Sequence, residues 1–191
     1  PEFYPNNTPP APGVRLGWQP CFTEEGTIGV AVDEILQYFA NRPDQNSYSL
    51  AINDGTGGFC EKDILQRDDP NKLNSMGLQD MSDIYYAWVN EVVSRVREVY
   101  PDKWFGLYAY NEVMDPPSFE IDPHVIPYIT RDRMAWIDEG EREKDQQRLE
   151  GWNEVAAQLG WYEGFYSSTY FVPRVYSHQL AYNLRYGNER N

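Results

Sequence analysis

The sequence predicts an α/β fold of parallel strand–helix units, part of an incomplete TIM-type barrel. Two observations carry this reading. Five short apolar runs alternate with stretches whose apolar residues recur at helical spacing, and three of the runs end in an acidic residue beside glycine or asparagine. Strands alternating with helices in this way are parallel with right-handed crossovers, and α/β barrels present their working groups at the carboxyl ends of such strands.

The expected elements follow in chain order. Residues 1–13, with Pro1, Pro5, Pro9, Pro10 and Pro12, cannot form a regular ladder and read as a proline-rich arm or linker ahead of one domain, 14–191. A first strand is expected at 14–18. Thr27 then precedes Ile28, Val32, Ile35, Leu36 and Phe39, one apolar helix face that Pro43 stops. The second strand, 48–53, delivers Asn53 and Asp54 into a loop containing Gly55, Gly57 and Gly58. A helix capped by Ser82 carries Ile84, Trp88, Val92 and Val96 on one stripe, with Val89 and Val93 beside it, and ends at Pro101. The third strand, 104–110, runs into Asn111 and Glu112, and a fourth is expected at 125–130 after a loop with Pro116 and Pro117. The charged run from Asp138 to Arg148 reads as a solvated helix face or loop, leading to a helix near 149–159 that Gly160 closes. The fifth strand, 161–165, runs into Glu163 and Gly164, and a last helix is expected near 175–186.

Five units do not close an eight-stranded barrel, and 191 residues fall short of the roughly 250 that such a barrel takes. The chain therefore reads as a partial barrel that the remainder of a longer chain or a self-assembly partner completes, or as an open doubly wound sheet. No GxGxxG or GxxxxGK[ST] loop follows a strand, so the nucleotide-binding versions of the open sheet lose support.

A net charge of -14 argues against nucleic acid or an anionic membrane surface as the main partner, since both need a positive footprint. No run reaches the roughly 20 apolar residues of a membrane span. Aromatics make up 15% of the chain, with rings suited both to core packing and to stacking on pyranose faces, so carbohydrate is the expected partner. His124 and His178 lie far apart and no CxxC pair occurs, so neither a metal nor a cofactor is expected. Cys21 and Cys60 each follow an expected strand; a disulfide and two buried thiols both remain open.

Several motifs in order resemble one family: Asn53-Asp54-Gly55 with Cys60, Ser82-Asp83 through Tyr85 to Asn90, and Tyr100-Pro101-Asp102-Lys103 to Tyr108-Ala109-Tyr110. Pro116-Pro117, Arg131-Asp132-Arg133 with Trp136, then Trp152, Tyr162 and Pro173 continue it, so that the likeness covers roughly residues 14–187. The chain is similar to bacterial barrel proteins encoded near polysaccharide-degradation enzymes and distantly similar to α-glucuronidases and other glycoside hydrolases. In that family the cysteine after the Asn-Asp-Gly loop belongs to a cysteine cluster, whereas Glu61-Lys62-Asp63 follows Cys60 here, which speaks against a multi-thiol role. The resemblance implies export to a periplasmic or extracellular space, where Cys21 and Cys60 would pair, and a glycoside-hydrolase-like half site.

Glycoside hydrolysis needs one carboxylic acid to protonate the leaving oxygen and a second carboxylate to attack or to activate water. Glu112, ending an aromatic-rich strand, is the expected acid; Asp54, beside Asn53 and the glycine loop, is the expected base or nucleophile; Glu163 is the substitute for either. Tyr108, Tyr110, Trp161 and Tyr162 are the candidate stacking residues, with strand alternation admitting only about half of them to one face. Asn53 and Asn111 are expected to bind sugar hydroxyls, and Arg131, with Arg133, to take a uronic-acid carboxylate. A non-catalytic glycan-binding or assembly protein is the competing reading.

Overall fold

The structure is a computed structural model that describes residues 2–14, 16–164 and 176–190; Arg15, Phe165, Pro173 and Val175, which the expected elements and motifs include, lie outside the described residues. Four strands, β1 (Ser47–Ser49), β2 (Trp104–Ala109), β3 (Val125–Arg131) and β4 (Gly160–Glu163), form one open sheet in the order β1-β2-β3-β4. All three pairings are parallel, with Tyr48 opposite Phe105, Tyr108 opposite Tyr128 and Thr130 opposite Tyr162. Five helices accompany them: α1 (Glu25–Asn41), α2 (Glu61–Leu65), α3 (Ser82–Arg97), α4 (Glu139–Val155) and α5 (Ser177–Asn188).

The expected strand at 14–18 does not form among its described residues. Gly17 sits at φ +74°, and the amides of Gly17 and Gln19 bond the carbonyls of Asp54 and Gly58 at 3.1 and 2.8 Å, so this segment braces the glycine loop instead of extending the sheet. The second expected strand is cut short for a related reason. Leu50 still donates to Gly106, but at Asn53 the Gln19 side-chain amide occupies both backbone groups, at 2.9 and 3.0 Å, as a strand partner would.

Strand alternation sorts the sheet into two faces. Phe105, Leu107, Ala109, Val125 and Ile129 point to a face covered by helices and belong to the core with Ile35 and Phe39 of α1 and Val89, Val92, Val93 and Val96 of α3. On α3 the buried face centres on Tyr85 and Tyr86 rather than on Ile84 and Trp88, which are only half-buried. The two tyrosines are admitted because their hydroxyls donate to the carbonyls of Leu50 and Val113, at 2.5 and 2.9 Å. Ser82 does begin this helix, but Asp80 Oδ1 accepts the Ser82 amide at 3.0 Å while Ser82 Oγ is buried without a partner.

The charged segment is one continuous helix with the expected later one, capped by Asp138 accepting the Glu141 amide at 3.0 Å. It ends at Val155, and Gly160 begins β4 instead of closing it. A Cβ at Gly160 would lie 2.4 Å from the Tyr128 ring, which shows why the position is glycine: Tyr128 lies down across it on the uncovered sheet face.

The proline-rich segment is folded onto the domain. Cys21 donates its amide to Phe3 at 3.0 Å, the Phe3 ring rests on Gly26 of α1, and Tyr4 meets Trp18 at 5.6 Å between ring centroids. Cys21 and Cys60 form a disulfide, with Cα atoms 5.1 Å apart. Asp63 of α2, fully buried, supports the same junction by accepting the amides of Phe22 and Thr23 at 2.8 and 3.0 Å and the Thr23 hydroxyl at 2.6 Å. Closing a loop of 39 residues restricts the unfolded chain by about 4 kcal/mol in the chain-entropy account. Replacing both cysteines by serine is expected to lower the thermal midpoint by on the order of 10 °C, measured by circular dichroism, and the reductant dependence of the parent's midpoint should vanish in the variant.

Candidate functional site

The segment that follows β1 and the segment that follows β2 meet through the glycine loop. Three consecutive residues after β2 each reach that loop: the Tyr110 hydroxyl donates to Asp54 Oδ1 at 3.2 Å, Asn111 Nδ2 to the Gly55 carbonyl at 2.9 Å, and Glu112 Oε1 accepts the Gly57 amide at 2.6 Å. Asn111 makes this possible with φ 49°, a left-handed conformation that asparagine tolerates better than most residues and that turns the chain into the short 3-10 helix Asn111–Val113. Its carbonyl accepts Asn74 Nδ2 at 2.6 Å. Asn53 is spent on the scaffold, its Nδ2 donating to Trp18 at 2.8 Å.

Glu112 is 4% exposed, and its Oε2 is buried with no hydrogen-bond partner. The other buried carboxylates are used up by structure. Asp63 holds the Phe22–Thr23 turn, Asp80 binds Lys72 at 2.8 Å and the start of α3, and Asp145 accepts Trp136 Nε1 at 2.8 Å and pairs with Arg148. Asp54 is exposed, and Gly55 donates its amide to the same Oδ1 that Tyr110 reaches, at 2.9 Å. Partial burial raises the Tyr110 pKa, and the Asp54 charge adds to it, so the hydroxyl stays a donor to that carboxylate.

A shallow cleft of about 290 Å³ opens at this rim, lined by Tyr110, Asn111, Thr130, Arg131, Asp132 and Tyr162 among others. Tyr108, Thr130 and Tyr162 share the uncovered face of the sheet by register. Tyr108 meets Tyr162 at 5.1 Å and Tyr128, which the sequence reading did not single out, at 6.5 Å between centroids.

Two expected site residues, Trp161 and Glu163, are committed elsewhere, and a third, Arg131, lines the cleft while bonding a helix; strand parity shows why. Trp161, Glu163 and Arg131 alternate with Gly160, Tyr162 and Thr130 and so point towards the helices. Glu163 pairs with the fully buried Arg133 and also accepts its backbone amide at 3.3 Å. Trp161 receives the Arg133 guanidinium 4.0 Å over its ring and packs edge-on to Trp136. Arg131 bonds Glu141 of α4 at 2.8 Å, and its Nε is buried without a partner. Arg133 therefore belongs to a structural hub of Glu163, Asp145, Trp136 and Trp161; burial lowers its pKa despite the Glu163 contact. Burial likewise pushes Arg148 down to about 10, with Asp115 opposing the fall and Arg131 and Arg133 adding to it. The sequence showed this hub only as a run of charges, because a single buried acid at Asp145 leaves no mark in such a run.

Among the described residues no group of three histidine, cysteine, aspartate or glutamate side chains is placed to hold a metal ion. No helix among them is long and apolar enough to cross a membrane.

The family model DUF4838, a domain of unknown function, matches residues 1–191. The chain belongs to the DUF4838 family. No curated protein and no solved structure matches it significantly. In this DUF4838 chain, then, the parallel sheet, the interlocked loop and the isolated Glu112 are what a functional reading has to build on.

The hub and the rim should separate cleanly in stability measurements. Arg133→Met leaves Glu163 without its cation, while Asp145 keeps Arg148, and should cost about 3–5 kcal/mol in urea denaturation. Arg131→Met removes a pair whose Glu141 partner is 40% exposed and should cost under about 1 kcal/mol.

Proposed function

We propose that the chain is a carbohydrate-active protein of the glycoside-hydrolase type, acting on a polysaccharide or uronic-acid-containing glycan, with Glu112 as proton donor and Asp54 as second carboxylate. The observation that carries this reading is the state of Glu112, the one buried carboxylate among the described residues with an oxygen that no protein group satisfies. A buried acid held by one oxygen through the Gly57 amide keeps its other oxygen uncommitted and able to carry a proton. Asp54, oriented by Tyr110 and Gly55 in the loop that follows the neighbouring strand, supports the reading as the second carboxylate. Tyr110, Asn111, Thr130 and Tyr162 supply stacking and hydrogen-bonding groups for the sugar, and the sheet forms part of the wall of a (β/α) barrel whose rim this is.

The engagement of Glu163 by Arg133 favours one second reading, a glycan-binding protein without turnover, because it removes the spare carboxylate from the rim.

A panel of aryl glycosides and glucuronides assayed with the parent, Glu112→Gln and Asp54→Asn decides between them. Glu112→Gln should lower turnover about a hundredfold or more, and least for substrates with good leaving groups. Asp54→Asn should depress all substrates alike. Unchanged turnover in both variants overturns the assignment, and glycan binding without turnover by the parent supports the second reading.

A further inference from the structure

We propose that two copies of this chain close one eight-stranded barrel, each supplying four strands, with β4 of one protomer beside β1 of its partner at both seams. The argument starts from strand order. Sequential parallel strands joined by crossovers of one hand place all their connecting helices on one side of the sheet, and the burial of Phe105, Leu107, Ala109, Val125 and Ile129 marks that side. The opposite side carries Trp104, Tyr108, Ile126, Tyr128, Thr130 and Tyr162, and Tyr108, Tyr128 and Tyr162 are 42%, 38% and 54% exposed. All-parallel sheets occur almost only with both faces covered, so this face is the inside of something larger.

Three features point to a second copy as the cover. A sequentially ordered sheet of four strands is half of the eight-stranded parallel barrel, and a two-fold axis along the barrel axis keeps every strand parallel while creating two identical seams. Next, the broad groove on the open face, about 930 Å³, is lined by tyrosines, tryptophans, serines and amides with no charged side chain, so two chains of net charge -14 bury no like charges against each other there. Finally, the β1 edge lacks the charges and prolines that guard unpaired edges: its residues are Ser47, Tyr48 and Ser49, with both serines exposed. Because Leu50 donates to Gly106, alternation turns the Ser49 amide away from β2 and towards this seam. The proposal rests on the sheet alone and stands or falls independently of the carbohydrate reading.

Light scattering after size-exclusion chromatography, run over a range of concentrations, tests it. The parent should show twice the 22.3 kDa mass of one chain. Tyr162→Lys on the inner face and Ser49→Pro at the seam should each yield monomers with an unchanged far-ultraviolet circular dichroism spectrum, whereas Val30→Lys, on the outer surface of α1 at 60% exposure, should stay dimeric. A parent that is monomeric at every concentration overturns the proposal and assigns the cover to other strands of the same polypeptide. A dimer that survives both Tyr162→Lys and Ser49→Pro overturns it as well, by placing the contact elsewhere.

Discussion

Parallel strands cannot be joined by tight turns, and this constraint shapes most of the molecule. Each return to the start of the sheet needs a long crossover, and the preferred hand of that crossover commits the connecting segments to one side. From this follow the one-sided core of Phe105, Leu107 and Val125 under α1 and α3, and the tyrosine-bearing face that no helix among the described residues covers. The same geometry gathers the carboxyl ends of the strands at one rim, which is why Asp54, Tyr110, Asn111 and Glu112 come within hydrogen-bonding reach of one loop although 55 or 56 residues separate the bonded partners.

The fold shows two different uses of a buried carboxylate. Asp63 and Asp145 are surrounded by donors and act as fixed negative posts, one for a turn and one for the Trp136 indole and Arg148. Glu112 has a single donor in the fold and one buried oxygen left over. Burying an unsatisfied polar atom costs free energy, so such an atom marks a place where the fold has been held back from its own stability optimum. That contrast between acids of similar burial separates Glu112 from the structural acids.

Much of the architecture was legible in the sequence. The helices α1 and α3 and the strands β2 and β3 announced themselves by apolar spacing, and the parallel arrangement followed from their alternation. What misled the reading was chemistry between distant residues. Val14 to Trp18 looks like a strand because its composition is apolar, yet Gly17 and Gln19 are drawn to the carbonyls of Asp54 and Gly58, and no local pattern encodes that choice. Within the site, Asp54 and Glu112 both bond to amides of the glycine loop, whereas Glu163 and Trp161 are turned to Arg133. Their side of the strand depends on register to the residue, and a reading of strand ends alone does not resolve that parity. The hub around Arg133 and Asp145 was hidden for the opposite reason: in sequence its members look like ordinary surface charge.

One small feature reaches into the history of the chain. Tyr128 occupies the space where a side chain at position 160 would begin, and it also touches the position a Cβ would take at Gly106, at 3.4 Å. The ring and the two gaps on adjoining strands form a single interlocking shape, in which the glycines contribute absence rather than contact. Drift at Gly160 is therefore closed while Tyr128 stays across it, and becomes open once a smaller residue takes its place. Relatives of this chain should thus change positions 128 and 160 together, leaving in their alignments a paired trace of a contact that no hydrogen bond or charge would reveal.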